Sequence, residues 1–228
     1  MIPRKLIDTA QVPGGGELRL IQRGNEFAIM LGQNELMSSR LSGSEEALAT
    51  LACRQLQAKA DPRLLIGGLG MGFTLRAALA VLGPKARLVV AELVPAVIQW
   101  ARGPMAPLFG DSLSDARVDI READVAEIIA ESKAGFDAIL LDVDNGPEGL
   151  TRKSNSLLYG VAGLNAAKAA LKPGGVLSVW SSFPEPQFAK RLRDSGFEVN
   201  EINLRATGKG GGARHVIWMA TKPSVRAA

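Results

Sequence analysis

An apolar run that stops in a cluster of glycines and restarts as a helix limits most strongly what this chain can become. Leu64, Leu65 and Ile66 lead into Gly67, Gly68, Gly70 and Gly72, and Leu75, Leu79 and Leu82 then recur at helical spacing. A strand, a tight turn and a helix N-terminus in that order leave backbone N–H groups bare at one point, a place for a nucleotide-type ligand.

The rest of the chain repeats the rhythm. Strands are expected over Leu64–Gly68, Arg87–Glu92, Val118–Glu122, Phe136–Asp142 and Val176–Ser181. Helices are expected over Phe73–Leu82, Pro95–Arg102, Val125–Lys133, Asn155–Leu171 and Pro184–Ser195, with LKPGG as a stop-and-turn before the fifth strand. FDAILLD is apolar without alternation, as a central parallel strand covered on both faces requires. The alternation breaks at the end: Phe197–Leu204 and His215–Lys222 are joined by a glycine loop too short for a helix, which predicts an antiparallel hairpin at the sheet edge. Five strand–helix units closed by such a hairpin give an α/β class, doubly wound, mostly parallel sheet of seven strands.

Before that unit lie residues 1–43, an N-terminal β-hairpin region. ELRLIQRG and NEFAIMLG flank Gly24-Asn25, a hairpin signal, and GQNELMSSRLS is a candidate further strand. Met1 to Gly16 reads as a mobile lead-in. Residues 44–62 read as a linker helix, with Ser44-Glu45-Glu46 as its capping start and Asp61-Pro62 as its end. The main domain runs over 63–228.

Composition excludes several classes. A net charge of +4 is spread along the chain rather than gathered in runs, so nucleic acid is not indicated as a partner. The single Cys53 excludes an internal disulfide and sits in an apolar-periodic run, as a buried structural thiol would. Cys53 and the single His215 are too few soft ligands for zinc, so no metal site is expected. The N-terminus lacks the apolar core of a signal peptide, and no apolar run approaches the roughly 18 residues of a membrane span. The chain is therefore expected to be soluble and cytoplasmic, with no membrane partner.

The glycine turn can be narrowed further. A P-loop needs a lysine followed by Ser or Thr, and Phe73-Thr74 stands there instead. The dinucleotide spacing G-x-G-x-x-G would put its third glycine at position 73, which is Phe73. The spacing Gly68-Gly70-Gly72 suits a ligand passing close over the turn. Glu92 ends the second strand about 20 residues on, where a carboxylate can accept from both hydroxyls of a ribose. Asp124, after the third strand, can accept from an adenine amino group. The alternative is that the glycines only make a turn while Glu92 and Asp124 cap helices. Asp142, ending the fourth strand, and Asp144, in the loop beyond, are the residues best placed to orient an amine or take a proton; loop solvation or an Asx turn is their plainer reading. Tyr159 is placed either against the acceptor or in the core, and Trp180 and Phe183 share that ambiguity.

These motifs resemble the class I S-adenosylmethionine-dependent transferases, and within them the spermidine synthase-like proteins. IGGLGMG resembles that family's I-G-G-G-D-G-G turn, AELVP its V-E-I-D-P, READV its G-D-A element, and LLDVDNGP its D-S-S-D-P loop. The resemblance implies a Rossmann-like methyltransferase fold with a small N-terminal β-hairpin domain. It implies an S-adenosylmethionine or decarboxylated S-adenosylmethionine cofactor held by Gly67, Gly68, Gly70, Gly72, Glu92, Asp124 and Asp142, with Asp142 and Asp144 catalytic. Asn145 and Tyr159 would line the pocket of a small-molecule acceptor, an amine by that family's chemistry, and a homodimer is implied as well. Three departures stand out. Gly70 replaces the aspartate that helps hold an aminopropyl donor, the second loop aspartate falls on Asn145, and the polyamine-holding elements are echoed only by Gln33-Asn34-Glu35. Those departures favour methyl transfer as the expected reaction, with aminopropyl transfer or a non-catalytic nucleoside-binding homologue as alternatives.

Overall fold

The computed structural model describes residues 2–143, 147, 158–205 and 212–224. Its first sheet is antiparallel, in the order β1 (Lys5–Gln11), β2 (Glu17–Arg23), β3 (Glu26–Leu31), β4 (Asn34–Ser38). Gly24 and Gly32, both at positive φ, make the two tight turns that set β2, β3 and β4 side by side. Leu18, Leu20, Phe27 and Ile29 alternate inward and are buried. The supposed lead-in is thus a strand. KLIDTAQ is mostly exposed and has no strong alternation, and it is fixed by pairing with β2 and by the Trp100 indole N–H, which donates to Asp8 at 2.7 Å.

The linker is helical only over α1 (Gly43–Arg54), which stops short of the expected end at Asp61-Pro62, and Ser44 does not cap it. Ser42 occupies the N-cap without a side-chain bond, and Ser44 is fully buried. Cys53 is fully buried as well, and burial pushes its thiol up to about 12.

The second sheet has the strands β5 (Arg63–Gly67), β6 (Arg87–Glu92), β7 (Val118–Glu122), β8 (Phe136–Leu141), β9 (Leu171–Ser181), β10 (Glu198–Arg205) and β11 (Arg214–Thr221). Their order is β10-β11-β9-β8-β5-β6-β7, with β5 to β9 parallel and β11 antiparallel to both its neighbours. The C-terminal hairpin sits at the edge, as its short loop required. LKPGG is not a separate turn. It opens β9 as an irregularity in register, where Phe136 pairs with Leu171 but Ala138 pairs with Val176.

Helices cover both faces of the sheet. Alongside α1, the helices α2 (Phe73–Val81) and α3 (Pro95–Arg102) pack with the first sheet against Leu64, Ile66, Val90 and Leu140. The short α4 (Ala106–Phe109), which the periodicity did not suggest, joins that side. On the other face α5 (Val125–Glu131), α6 (Val161–Ala170) and α7 (Pro186–Asp194) pack against Leu65, Val89 and Ile139. Among the described residues no helix is long and apolar enough to cross a membrane.

Because β6 and β8 flank β5 on opposite sides, the chain reverses direction across the sheet there. Such a switch point leaves a crevice at the carboxyl ends of the strands. The opposite ends are clasped by Asp137, whose side chain is 2% exposed. It accepts from the Arg63 N–H at 2.9 Å and pairs with Lys59 at 2.8 Å and Lys172 at 2.7 Å. Burial alone would raise its pKa, but those three donors more than reverse the effect. Asp137→Ala should therefore lower stability by about 3 kcal/mol in urea denaturation near pH 7, since it strands two ammoniums and a backbone N–H together. A native pKa below the unfolded one adds stability present at neutral pH, so the difference from the parent should shrink as pH falls below about 4.

Candidate active site

Gly67 ends β5 and the turn bends over the crevice. Gly68, at φ +91, donates to the Ala91 carbonyl at 2.8 Å, and Gly72, at φ +74, donates to Leu69 at 2.8 Å. A Cβ on Gly68 would collide with the backbone carbonyl of Asp142, and one on Gly72 with the Phe109 ring. Two glycines of the G-x-G-x-G spacing are thus required by the protein's own close packing. Gly70, at φ +49, is different: it lines the pocket, and a Cβ there would meet only the end of the Met37 side chain, its sulfur at 3.0 Å and its methyl at 3.4 Å.

Glu92, at the end of β6, is 8% exposed. It accepts from the Leu69 N–H at 3.0 Å and from the Val94 N–H at 2.9 Å, which ties the glycine turn to the next strand. Burial raises its pKa, against the backbone N–H groups of Val94, Leu69, Gly70 and Leu93. Each carboxylate oxygen has a second acceptor direction, so a ribose hydroxyl can still donate to it. Asp124 caps α5 by accepting from Ala126 at 2.9 Å. The capping reading therefore holds for Asp124, and Glu92 acts as a brace. Neither role closes the pocket.

Gly68, Gly70, Glu92, Asp124 and Asp142 line one cavity. The first sheet roofs it with Leu18, Ile29, Leu36 and Met37, joined by Val12 just after β1, which supply an apolar wall opposite the polar strand ends. Of the other expected site residues, Gly67 and Gly72 shape the turn from behind. Asp144 and Asn145 lie outside the described residues, as does most of the glycine loop before Arg214. Tyr159 is a correction: it is fully buried, edge-on to Phe188 with centroids 5.5 Å apart, in the core on the opposite face of the sheet. Glu35 is drawn away as well, paired with Arg40 at 2.9 Å outside the cavity. Phe183 is 69% exposed, whereas Trp180 is buried.

Asp142 follows β8, and its N–H donates to the Gly67 carbonyl at 3.0 Å. Its Oδ2 accepts from the Thr74 hydroxyl at 2.5 Å. Burial and, next, the charge of Glu45 push its pKa up to about 7, against the Thr74 hydrogen bond. Burial raises Glu45 too, against the Ser44 hydroxyl. Among the described residues neither carboxylate has an ion-pair partner. Sequence reasoning missed Glu45 and Thr74. Glu45 read as part of a helix cap, and only the packing of α1 along β8 and β9 turns it toward Asp142. Thr74 carries no signal beyond its place at the start of α2.

Comparison with known proteins agrees with this arrangement at the level of the fold. No family model matches the chain. Over 149 residues, 62% of its length, it is 28% identical to polyamine aminopropyltransferase 1 of Streptomyces coelicolor, and it spans only 27% of that relative. Among solved structures it is similar to the spermidine synthase of Thermotoga maritima, with a TM-score of 0.75 at 20% identity, covering 97% of this chain and 73% of the other. It is also similar to a spermidine synthase in complex with the transition state analogue AdoDATO, with a TM-score of 0.78 at 21% identity over 97% and 75% of the two chains. A probable spermidine synthase from Corynebacterium glutamicum gives 0.62 at 19% identity over 95% and 80%. The spermidine synthase-like resemblance read in the sequence is supported, and the two-sheet architecture is that of a spermidine synthase. The preference for methyl transfer finds no support among these proteins.

Proposed function

We propose that this spermidine synthase-like chain is an aminopropyltransferase that moves the aminopropyl group of decarboxylated S-adenosylmethionine to an amine. The observation that supports it is Asp142 on the cavity wall with the charge of Glu45 bearing on it from behind, and no cation of the described chain against either. Two partly buried acids in that state favour an ammonium ligand, which would relieve the cost of ionising both. Glu45 would in this way offset the carboxylate missing at Gly70.

In this reading Glu92 receives the ribose hydroxyls, Asp124 the adenine edge, and the glycine turn lets the sulfonium lie close to the backbone. A neutral amine attacks the carbon next to the sulfonium. The N–C bond forms as the C–S bond breaks, the electron pair stays on sulfur, and a neutral thioether leaves. Sulfonium is already a good leaving group, so the protein's share is alignment and proton removal. An acid with a pKa of about 7 is suited to accept that proton near neutral pH.

Incubation with the decarboxylated donor and putrescine or a longer diamine, followed by mass spectrometry, tests this. The expected products are methylthioadenosine and an amine extended by one aminopropyl unit. Formation of S-adenosylhomocysteine from S-adenosylmethionine, with no extended amine from the decarboxylated donor, would contradict it.

A further inference from the structure

The fully buried Ser44 connects Glu45 to β11, on the face of the sheet that α1 covers. Its hydroxyl lies 2.6 Å from Glu45 Oε2 and 2.8 Å from Nδ1 of His215 on β11. A hydroxyl has one hydrogen, so it donates to one of these partners and accepts from the other. With Glu45 ionised, Ser44 donates to the carboxylate and accepts the Nδ1–H of an imidazolium. With Glu45 protonated, the acid donates to Ser44 and Ser44 donates to a neutral Nδ1. The two arrangements differ by one proton moved along the line.

The imidazole is held for that exchange. It stands edge-on to the buried Trp180, with centroids 4.9 Å apart and planes 77° from parallel. The ring is partly exposed, and its Nε2 has no hydrogen-bond partner among the described residues, which leaves it to water. Burial lowers the His215 pKa while it raises those of Glu45 and Asp142, so proton affinities that normally differ widely are drawn together. The charged groups bearing on Glu45 are Asp142 across from it and Glu46 on its own helix.

We infer that Glu45, Ser44 and His215 carry the proton released by the attacking amine from the active-site carboxylates to solvent beside β11. This role rests on the aminopropyltransferase reading above. An acceptor ammonium gives one proton to the Asp142–Glu45 pair, and its freed lone pair makes the N–C bond as the C–S pair withdraws to sulfur. The proton passes from Glu45 through Ser44 to Nδ1, and the imidazolium releases its Nε2 proton to water. Asp142 touches the cavity, while Glu45, Ser44 and His215 act through it as positioning and relay residues.

His215 is the single histidine of the chain, so its Cε1–H resonance reports on that ring alone. Glu45→Gln, which removes the charge at the other end of the line, is expected to lower the midpoint of that titration by about 0.5 pH unit. Ser44→Ala is expected to reduce kcat about tenfold in dilute buffer with KM within about twofold, and added imidazole should restore it. If Ser44→Ala does not fold, His215→Gln at the partly exposed end gives the same readout. A midpoint unmoved by Glu45→Gln, or a broken line with parental kcat in dilute buffer, overturns the relay and leaves the transfer reading intact. A parent chain that moves nothing from the decarboxylated donor overturns the transfer reading, and the relay with it.

Discussion

An Asp142→Asn chain is expected to lose aminopropyl transfer by about 10²- to 10³-fold while it still binds methylthioadenosine within about threefold of the parent. The amide keeps the shape of the carboxyl and can still accept the Thr74 hydroxyl, so the turn around Gly68 is undisturbed. In the proposed reaction, what it loses is the ability to take a proton from the acceptor amine. The same exchange should stabilise the fold at alkaline pH. Asp142 titrates at about 7 in the native chain against an ordinary 3.8, because burial and the nearby Glu45 disfavour its charge. Between about pH 4 and pH 7 the native state therefore holds a proton that the unfolded state has released, and stability falls as pH rises through that window. The asparagine variant should be more stable than the parent by about 2 kcal/mol at pH 8, a margin that closes toward pH 4. Urea denaturation at both pH values measures it. Equal stabilities at pH 8 would show that the carboxylate is not disfavoured where it stands.

Gly68→Ala carries the largest expected structural penalty. Gly68 sits at φ +91, and an added methyl runs into a backbone carbonyl, that of Asp142, which cannot rotate away as a side chain would. Backbone strain and collision together should cost at least about 3 kcal/mol and abolish measurable nucleoside binding, because the turn and the end of β8 must separate. Gly70→Ala is the control. At φ +49 it meets only the end of the flexible Met37 side chain, so the expected cost is about 1 kcal/mol. Thermal unfolding of the two variants side by side would distinguish them. Equal destabilisation would mean that the turn is not pressed against β8 as described.

Those two glycines also mark how far the sequence could be read. The strand–turn–helix at Leu64 to Leu82 and the order of the later elements were legible because buried parallel strands are continuously apolar and helices are periodic, so β6, β7 and α3 match their expected bounds. KLIDTAQ and LKPGG were misread because their strand character is borrowed from a partner: one is an exposed edge, the other a register irregularity against β8. At the site, Glu92, Asp124 and Asp142 were legible since they end or follow strands at the ligand-binding edge of the sheet. Glu45, Thr74 and His215 were not. Glu45 and Thr74 approach Asp142 from α1 and α2, His215 reaches Ser44 from β11, and nothing local in SEEALA, GFTL or ARHV carries that tertiary placement. Tyr159 shows the reverse error, an aromatic near the right loop in sequence that packs into the opposite core.

In the proposed reaction the cavity holds an adenosyl sulfonium whose side chain ends beside Asp142, within the field of Glu45. Titration calorimetry of the unaltered chain with decarboxylated S-adenosylmethionine and with S-adenosylmethionine itself tests it most directly. The two donors differ only by a carboxylate, which would face two carboxylates of the protein. The decarboxylated donor is expected to bind at least about tenfold more tightly, with the advantage gone in Asp142→Asn. Equal affinities, or tighter binding of S-adenosylmethionine, would contradict it.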